Sequence, residues 1–338
     1  MEHPIKICFI GSGAISTAFA QVLSQKEKYL VELVSIEQDV IRSVNEEHVN
    51  KKYFPSVALH KDISATDDLT TFENADIIFL GIPSTVIVEY VDQHKERFNP
   101  RAVMVNMAKG FGREDNTIPE CLEKLVPNPI ISFKGPSFAR EIINNVPTGM
   151  TVSAKNSKYN DLFRDLFKDT SIYLDFNTDL IGTELTSILK NIYAIILGIV
   201  DAHYDAPNLR SLMITRSINE MRYLISRFGG KERTMFNYCG FGDFSLTALN
   251  DMSRNRTLGL LIGKGFFTEY ISEKVVLEGI IATNFFVEKI ARKRNIRTKE
   301  LMLKELYKVF NDKQYDINNF VTQILETEPI KEDLFTWF

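Results

Sequence analysis

With 338 residues, 44% of them hydrophobic and 25% charged, the chain is long enough for two domains and has the composition of an ordinary globular protein. A formal charge of -4 and a pI near 5.9 argue against a general nucleic-acid or membrane-surface binder and leave room only for a local basic pocket. Cys8, Cys121 and Cys239 lie far apart with no CxxC or Cys/His spacing, so neither a metal nor a disulfide framework is expected, and a reducing cytoplasm fits. The N-terminal MEHPIK runs straight into a strand pattern without the features of a secretion signal.

The first half alternates short β-rich runs with helical patterns, as a parallel α/β sheet does. Ile5 to Ile10 reads as a buried first strand, followed by Gly11-Ser12-Gly13-Ala14-Ile15-Ser16, an amphipathic segment from Ile15 to Leu23, and a second strand, YLVELVSIE, ending at Glu37. Further strands are expected at Asp76 to Pro83, Ala102 to Met107, Pro129 to Phe133, Gly149 to Ala154 and Ser171 to Phe176. After about residue 178 strand patterns nearly vanish and apolar residues recur at helical spacing, as in Leu209, Leu212, Ile214, Ile218, Met221, Leu224 and Ile225. The expected fold is therefore α/β. It comprises a Rossmann-type doubly wound sheet over 1–177 that binds a dinucleotide, and an all-helical domain over 178–338 that binds substrate and carries the catalytic residues. No Pro/Gly-rich linker separates them, so a rigid shared interface is expected, with the active site in the cleft between.

The glycine turn sits between a strand and a helix, the context a dinucleotide fingerprint requires. Gly11 permits the tight turn, Gly13 lets backbone N–H groups approach a pyrophosphate, and the helix start at Ala14 and Ile15 supplies positive dipole. Ser16 stands where the third glycine is usual. Glu37, about 20 residues further on, is placed to accept a ribose 2′-hydroxyl and to repel a 2′-phosphate, which favours NAD over NADP; a solvated strand end is the competing reading.

From Leu185 to Val200 the chain reads LTSILKNIYAIILGIV, and Lys190 is the only charge in it. Burying an unpaired ammonium costs several kcal/mol, so an apolar helix that keeps one is holding an amine in a dry place. The run is shorter than the ~20 residues that span a bilayer, so it reads as a core helix and no membrane span is expected. Thr183, Ser187, Lys190, Ala194 and Gly198 share a small or polar face that would let a ligand approach the amine. A structural carboxylate partner, or a side chain that snorkels to the surface, is the alternative.

Other segments set glycine or small residues around a charged or polar side chain: Met107-Ala108-Lys109-Gly110, Gly135-Pro136-Ser137-Phe138-Ala139, Gly240-Phe241-Gly242-Asp243 and Ser253-Arg254-Asn255-Arg256. Alone, the last reads equally well as a solvated helix start with surface arginines. Together with Ile82-Pro83-Ser84, Pro147-Thr148, Gly182-Thr183-Glu184-Leu185, Leu189-Lys190-Asn191, Ile214 to Arg216, Leu246-Thr247 and Glu278-Gly279, and in this order, they resemble the NAD(P)-dependent sn-glycerol-3-phosphate dehydrogenase family over nearly the whole chain.

The resemblance implies an NAD-dependent enzyme, active as a homodimer, that interconverts dihydroxyacetone phosphate and sn-glycerol 3-phosphate in glycerophospholipid metabolism. It makes Lys190 the proton-exchanging lysine, Asp243 its carboxylate and Lys109 a second lysine at the substrate. Arg254 and Asn255 match the phosphate contacts, with Ser253, Gly135, Ser137 and Asn191 nearby and Thr247 in support. Pro83, Lys109, Ala139, Arg254, Val276 and Glu278 match positions that line the cofactor, alongside Gly11, Gly13, Ala14, Ile15 and Glu37.

Chemistry supports the same assignment. Hydride arriving at a ketone puts negative charge on its oxygen, which calls for a positively placed proton donor, and a phosphate dianion suits the planar fork of an arginine. Ser187-Ile188, Tyr238-Cys239, Asp205-Ala206-Pro207-Asn208 and Ala248 depart from the family and are expected to crowd the substrate end. Two alternatives stand: a dehydrogenase of another phosphorylated hydroxy or keto compound, and a non-catalytic NADH-binding sensor.

Overall fold

A computed structural model describes residues 4–114, 116–266, 278–292, 301–327 and 330. The chain folds as two compact units, Met1–Leu180 and Ile181–Phe338.

The first unit is built on eight strands: β1 (Ile5–Ile10), β2 (Tyr29–Val34), β3 (Ile63–Thr66), β4 (Ile77–Leu80), β5 (Val103–Asn106), β6 (Ile130–Lys134), β7 (Thr148–Ala154) and β8 (Ile172–Asn177). Their order is β3-β2-β1-β4-β5-β6-β7-β8. The first six follow the doubly wound order 3-2-1-4-5-6, whose strand order reverses between β1 and β4. Both faces of this sheet are covered, which is why its strands are nearly continuous apolar runs. Ile7 and Phe9 of β1 belong to one core, and Cys8 and Ile10 to the other. Phe9 stacks on Phe79 of β4 with ring centroids 4.7 Å apart.

Two features differ from the sequence expectation. β3 was not anticipated, because ISAT is four residues long and half polar, too short for a period to register. β7 runs antiparallel to β6. An apolar run carries no direction, and the chain returns here through a five-residue helix, α5 (Ala139–Ile143), with Asn145 at φ 57°. The other helices of this unit are α1 (Ala14–Leu23), α2 (Gln38–Glu47), α3 (Ser84–His94), α4 (Ile118–Leu125) and α6 (Asn160–Phe167).

Among the described residues the second unit is helical: α7 (Leu180–His203), α8 (Pro207–Arg227), α9 (Asp243–Leu249), α10 (Arg254–Gly263), α11 (Glu278–Arg292), α12 (Met302–Asn311) and α13 (Phe320–Glu326). α7 has 24 residues and is buried on all sides from Gly182 to Val200. At that length it could cross a bilayer; what identifies it as a core helix is that 89% of its most apolar window is inside the fold. The small face expected to admit a ligand is partly used for packing. A Cβ on Gly198 would lie 2.4 Å from the Arg256 carbonyl oxygen and one on Gly259 would lie 2.1 Å from that of Ile195, so α7 and α10 meet backbone to backbone.

Candidate active site

The glycine turn leaves β1 with Gly11 at φ 97°, a conformation L side chains rarely adopt, where a Cβ would also strike Ile82 at 2.8 Å. Around Gly13, by contrast, there is nothing within 4 Å of where a Cβ would be. Gly13 is also the N-cap of α1 and brings no side-chain cap, so the first-turn N–H groups at Ala14 and Ile15 face an open approach. That geometry fits a pyrophosphate and meets the requirement of a nicotinamide dinucleotide. Ser16, in place of the third glycine, is fully buried, and the packing is kept by Gly81, where a Cβ would fall 2.0 Å from the serine oxygen.

A polar network holds this turn in place. The Ser12 carbonyl accepts hydrogen bonds from Thr17 Oγ1 at 3.1 Å and Asn50 Nδ2 at 2.9 Å, and the Ser12 and Ser35 hydroxyls are 2.7 Å apart. Glu37 lies past the end of β2, contrary to the expected strand end, as the N-cap residue of α2. Its carboxylate accepts from Lys52 Nζ at 2.8 Å and from the Tyr53 hydroxyl at 3.3 Å.

At the carboxyl ends of the middle strands, Pro83 is the N-cap of α3. The half-buried Lys109, just past β5, donates to the Gly135 carbonyl oxygen at 3.1 Å and to Ser137 Oγ at 3.4 Å. Lys109, Gly135 and Ser137 are thus one cluster, with Ala139 opening α5 beside it. Lys134, fully buried at the end of β6, reaches back to the Ala108 carbonyl. The two lysines cross-brace the loops after β5 and β6.

In the helical unit Lys190 is 5% exposed, and its amine lies 2.6 Å from Asp243 Oδ1 and 2.8 Å from Thr247 Oγ1. The Thr247 hydroxyl donates to the Asp243 carbonyl at 2.7 Å, so toward the amine it acts as an acceptor. One turn of α9 therefore presents both partners, and the snorkelling alternative for Lys190 is excluded by its burial.

A second cluster forms where α7, α10 and α11 converge. Asn191 Nδ2 donates to Glu278 Oε2 at 3.3 Å, and Asn255 Oδ1 is buried without a hydrogen-bond partner among the described residues, 2.8 Å from where a Cβ on Gly279 would sit. Ser253 caps α10, and Arg254, the first residue of that helix, is exposed and has no ion-pair partner among the described residues. Arg256 does not fit the surface reading. It is buried, with its guanidinium 2.6 Å from Asp201 and 3.1 Å from Asp251. Val276 lies outside the described residues.

Of the departures expected to crowd the substrate, Ser187, Ile188, Cys239 and Ala248 are buried, whereas Tyr238, Asp205, Pro207 and Asn208 are exposed. Ser187 donates to the Thr183 carbonyl at 3.1 Å, and Cys239 is fully buried beside Thr186 at 3.6 Å. What sequence reasoning missed is the scaffold: Asn50, Lys52, Tyr53 and Lys134. The first three lie in an aperiodic connection, and a lysine ending the strand IISFK gives no sign of facing inward.

Residues 6–160 match the family model described as NAD-dependent glycerol-3-phosphate dehydrogenase N-terminus, and residues 179–321 match the corresponding C-terminus. A glycerol-3-phosphate dehydrogenase [NAD(P)+] of Clostridium botulinum is 31% identical over 91% of this chain and 94% of its own. A chloroplastic glycerol-3-phosphate dehydrogenase [NAD(+)] of Arabidopsis thaliana is 30% identical over 88% of this chain and 72% of its own. The crystal structure of the Coxiella burnetii glycerol-3-phosphate dehydrogenase superposes with a TM-score of 0.85 at 29% identity, covering 95% of this chain and 99% of that one.

Proposed function

The chain belongs to the NAD-dependent glycerol-3-phosphate dehydrogenase family, and from that membership we infer that it interconverts dihydroxyacetone phosphate and sn-glycerol 3-phosphate with NADH as reductant. The individual roles below are our reading, and the buried Lys190–Asp243 pair carries it. In the reductive direction NADH supplies the hydride to the carbonyl carbon. Lys190 delivers a proton from Nζ to the carbonyl oxygen as negative charge develops there, and in the oxidative direction the neutral amine takes it back.

Asp243 keeps the amine protonated and aimed, since a buried ammonium without a counter-charge would lose its proton. Thr247 holds the rotamer. Arg254 supplies a guanidinium fork at the positive end of α10, with the amide of Asn255 next to it, for the substrate phosphate. Lys109, with Gly135 and Ser137, forms a second substrate contact, and Gly11, Gly13, Ala14 and Ile15 cradle the coenzyme diphosphate. Glu37 takes the adenosine ribose, while Pro83, Ala139 and Glu278 line the coenzyme. We assign the enzyme to glycerophospholipid synthesis in the cytoplasm, as a homodimer.

The decisive experiment is Lys190→Ala. Dihydroxyacetone phosphate-dependent NADH oxidation should fall by about 10³-fold to 10⁴-fold while NADH binding, followed by coenzyme fluorescence, is retained. Unchanged turnover would remove Lys190 from the mechanism. Turnover with another keto-phosphate but none with dihydroxyacetone phosphate would reassign the substrate.

A further inference from the structure

The carboxylate expected to read the adenosine ribose is already engaged. Glu37 Oε2 accepts from Lys52 Nζ at 2.8 Å and Oε1 from the Tyr53 hydroxyl at 3.3 Å, so both of its oxygens are occupied and its charge is balanced. This arrangement is tied to the dinucleotide turn by two routes. The Glu37 backbone N–H donates to Ser35 Oγ at 3.1 Å, and Ser35 contacts Ser12. On the other side Asn50, two residues before Lys52, is buried and donates to the Ser12 carbonyl and, at 2.8 Å, to Thr17 Oγ1. The loop thereby brings the ammonium beside the carboxylate, and its bond to Glu37 holds the amine above its ordinary range, so it is charged at neutral pH.

We propose that Lys52 is a specificity-determining residue for the coenzyme: by neutralising Glu37 and offering an ammonium at the same place, it admits the 2′-phosphate of NADPH as well as the 2′-hydroxyl of NADH. This rests on the assignment of the glycine turn as the dinucleotide site. A lone acid in this position excludes NADPH by repelling a phosphate dianion and by offering its lone pairs to hydroxyls. Here the carboxylate has no uncompensated charge, and the lysine side chain is 57% exposed, free to turn toward a phosphate while its neighbours stay in place. Glu37 remains available for the ribose hydroxyl when NADH is bound. The same two side chains thus serve both coenzymes, with the ammonium shared between carboxylate and phosphate when NADPH is bound.

The test is a fluorescence titration of NADH and NADPH with the full chain, comparing wild type, Lys52→Met and Glu37→Gln. Wild type should bind the two with Kd values within about tenfold, because the discriminating charge is screened and paired. Lys52→Met should shift the NADPH/NADH Kd ratio about tenfold against NADPH, with a flatter salt dependence for NADPH, and Glu37→Gln should shift the ratio the other way. A wild-type preference for NADH above about 100-fold, or a ratio that Lys52→Met leaves unchanged, overturns the proposal. Binding of neither coenzyme overturns the dinucleotide assignment itself, and this inference with it.

Discussion

In the sheet unit Lys109 rests half-buried on a backbone carbonyl and a serine hydroxyl, whereas in the helical unit Lys190 is sealed inside α7 against a carboxylate and a threonine. The first site is made largely of backbone: a positive-φ glycine, an uncapped helix start and strand-end carbonyls. The second is made of side chains carried into a dry interior. Asp201 and Arg256 make another such buried pair, and Glu220 of α8 is a further buried acid. Backbone sites tolerate the loss of a side chain because their donors do not depend on one. A buried charge pair does not, since removing one partner strands the other.

That contrast can be broken in four ways. Lys190→Met and Lys109→Met remove the same charge. The first should cost about 10³-fold or more in kcat, equivalent to about 4 kcal/mol at the transition state. If Lys109→Met costs as much, the two lysines share the proton transfer and the division fails. Asp243→Ala should lower folding stability by about 3–5 kcal/mol in a urea titration, because it leaves an ammonium buried without its carboxylate. A loss below about 1 kcal/mol would mean that the amine escapes the penalty by reaching water or by shedding its proton.

Glu220 sharpens the comparison through pH. It is fully enclosed, and accepts from the Tyr193 hydroxyl at 2.9 Å and from the backbone N–H groups of Met302 and Leu303 at 2.8 and 3.1 Å. Burial outweighs these bonds and pushes its carboxyl up to about 7. The folded protein therefore holds a proton that the unfolded chain releases near pH 4.5. The stability this contributes is complete below the unfolded value and is lost as pH rises to about 7, a change of about 3 kcal/mol. Glu220→Gln, which stays neutral, should flatten the stability profile in that window, as thermal melts between the two pH values would reveal. The smallest effect belongs to the sheet unit: Lys109→Met should raise KM for the keto-phosphate about tenfold and alter stability by no more than about 1 kcal/mol. A loss of several kcal/mol would place Lys109 among the buried charges.

Much of the sheet unit was legible because each of its devices is local. Strands covered on both faces become apolar runs such as ICFI and IIFL, and a turn that must reverse within a few residues needs Gly11. β3 was too short to register, and the direction of β7 has no counterpart in composition. In the helical unit Lys190 stood out as the one charge in an apolar run. Its partner lies 53 residues further on, and only the family resemblance, not any spacing, named Asp243 beforehand. Asn50 and Lys52 were invisible for the same reason, since they act across a gap of 38 residues to Ser12 and 15 to Glu37.

The chain's periodicities and its glycine turn were sufficient to determine the doubly wound sheet, the helical second half and the presence of an amine in a dry helix, because these follow from chemistry within a few residues of each position. Which carboxylate would meet that amine, that the small face of α7 would be spent partly on contact with α10, and that Glu37 would be neutralised by a lysine were decided only when distant segments packed together. Pairing of buried charges depends on distances in space, and the order of residues along the chain does not encode them.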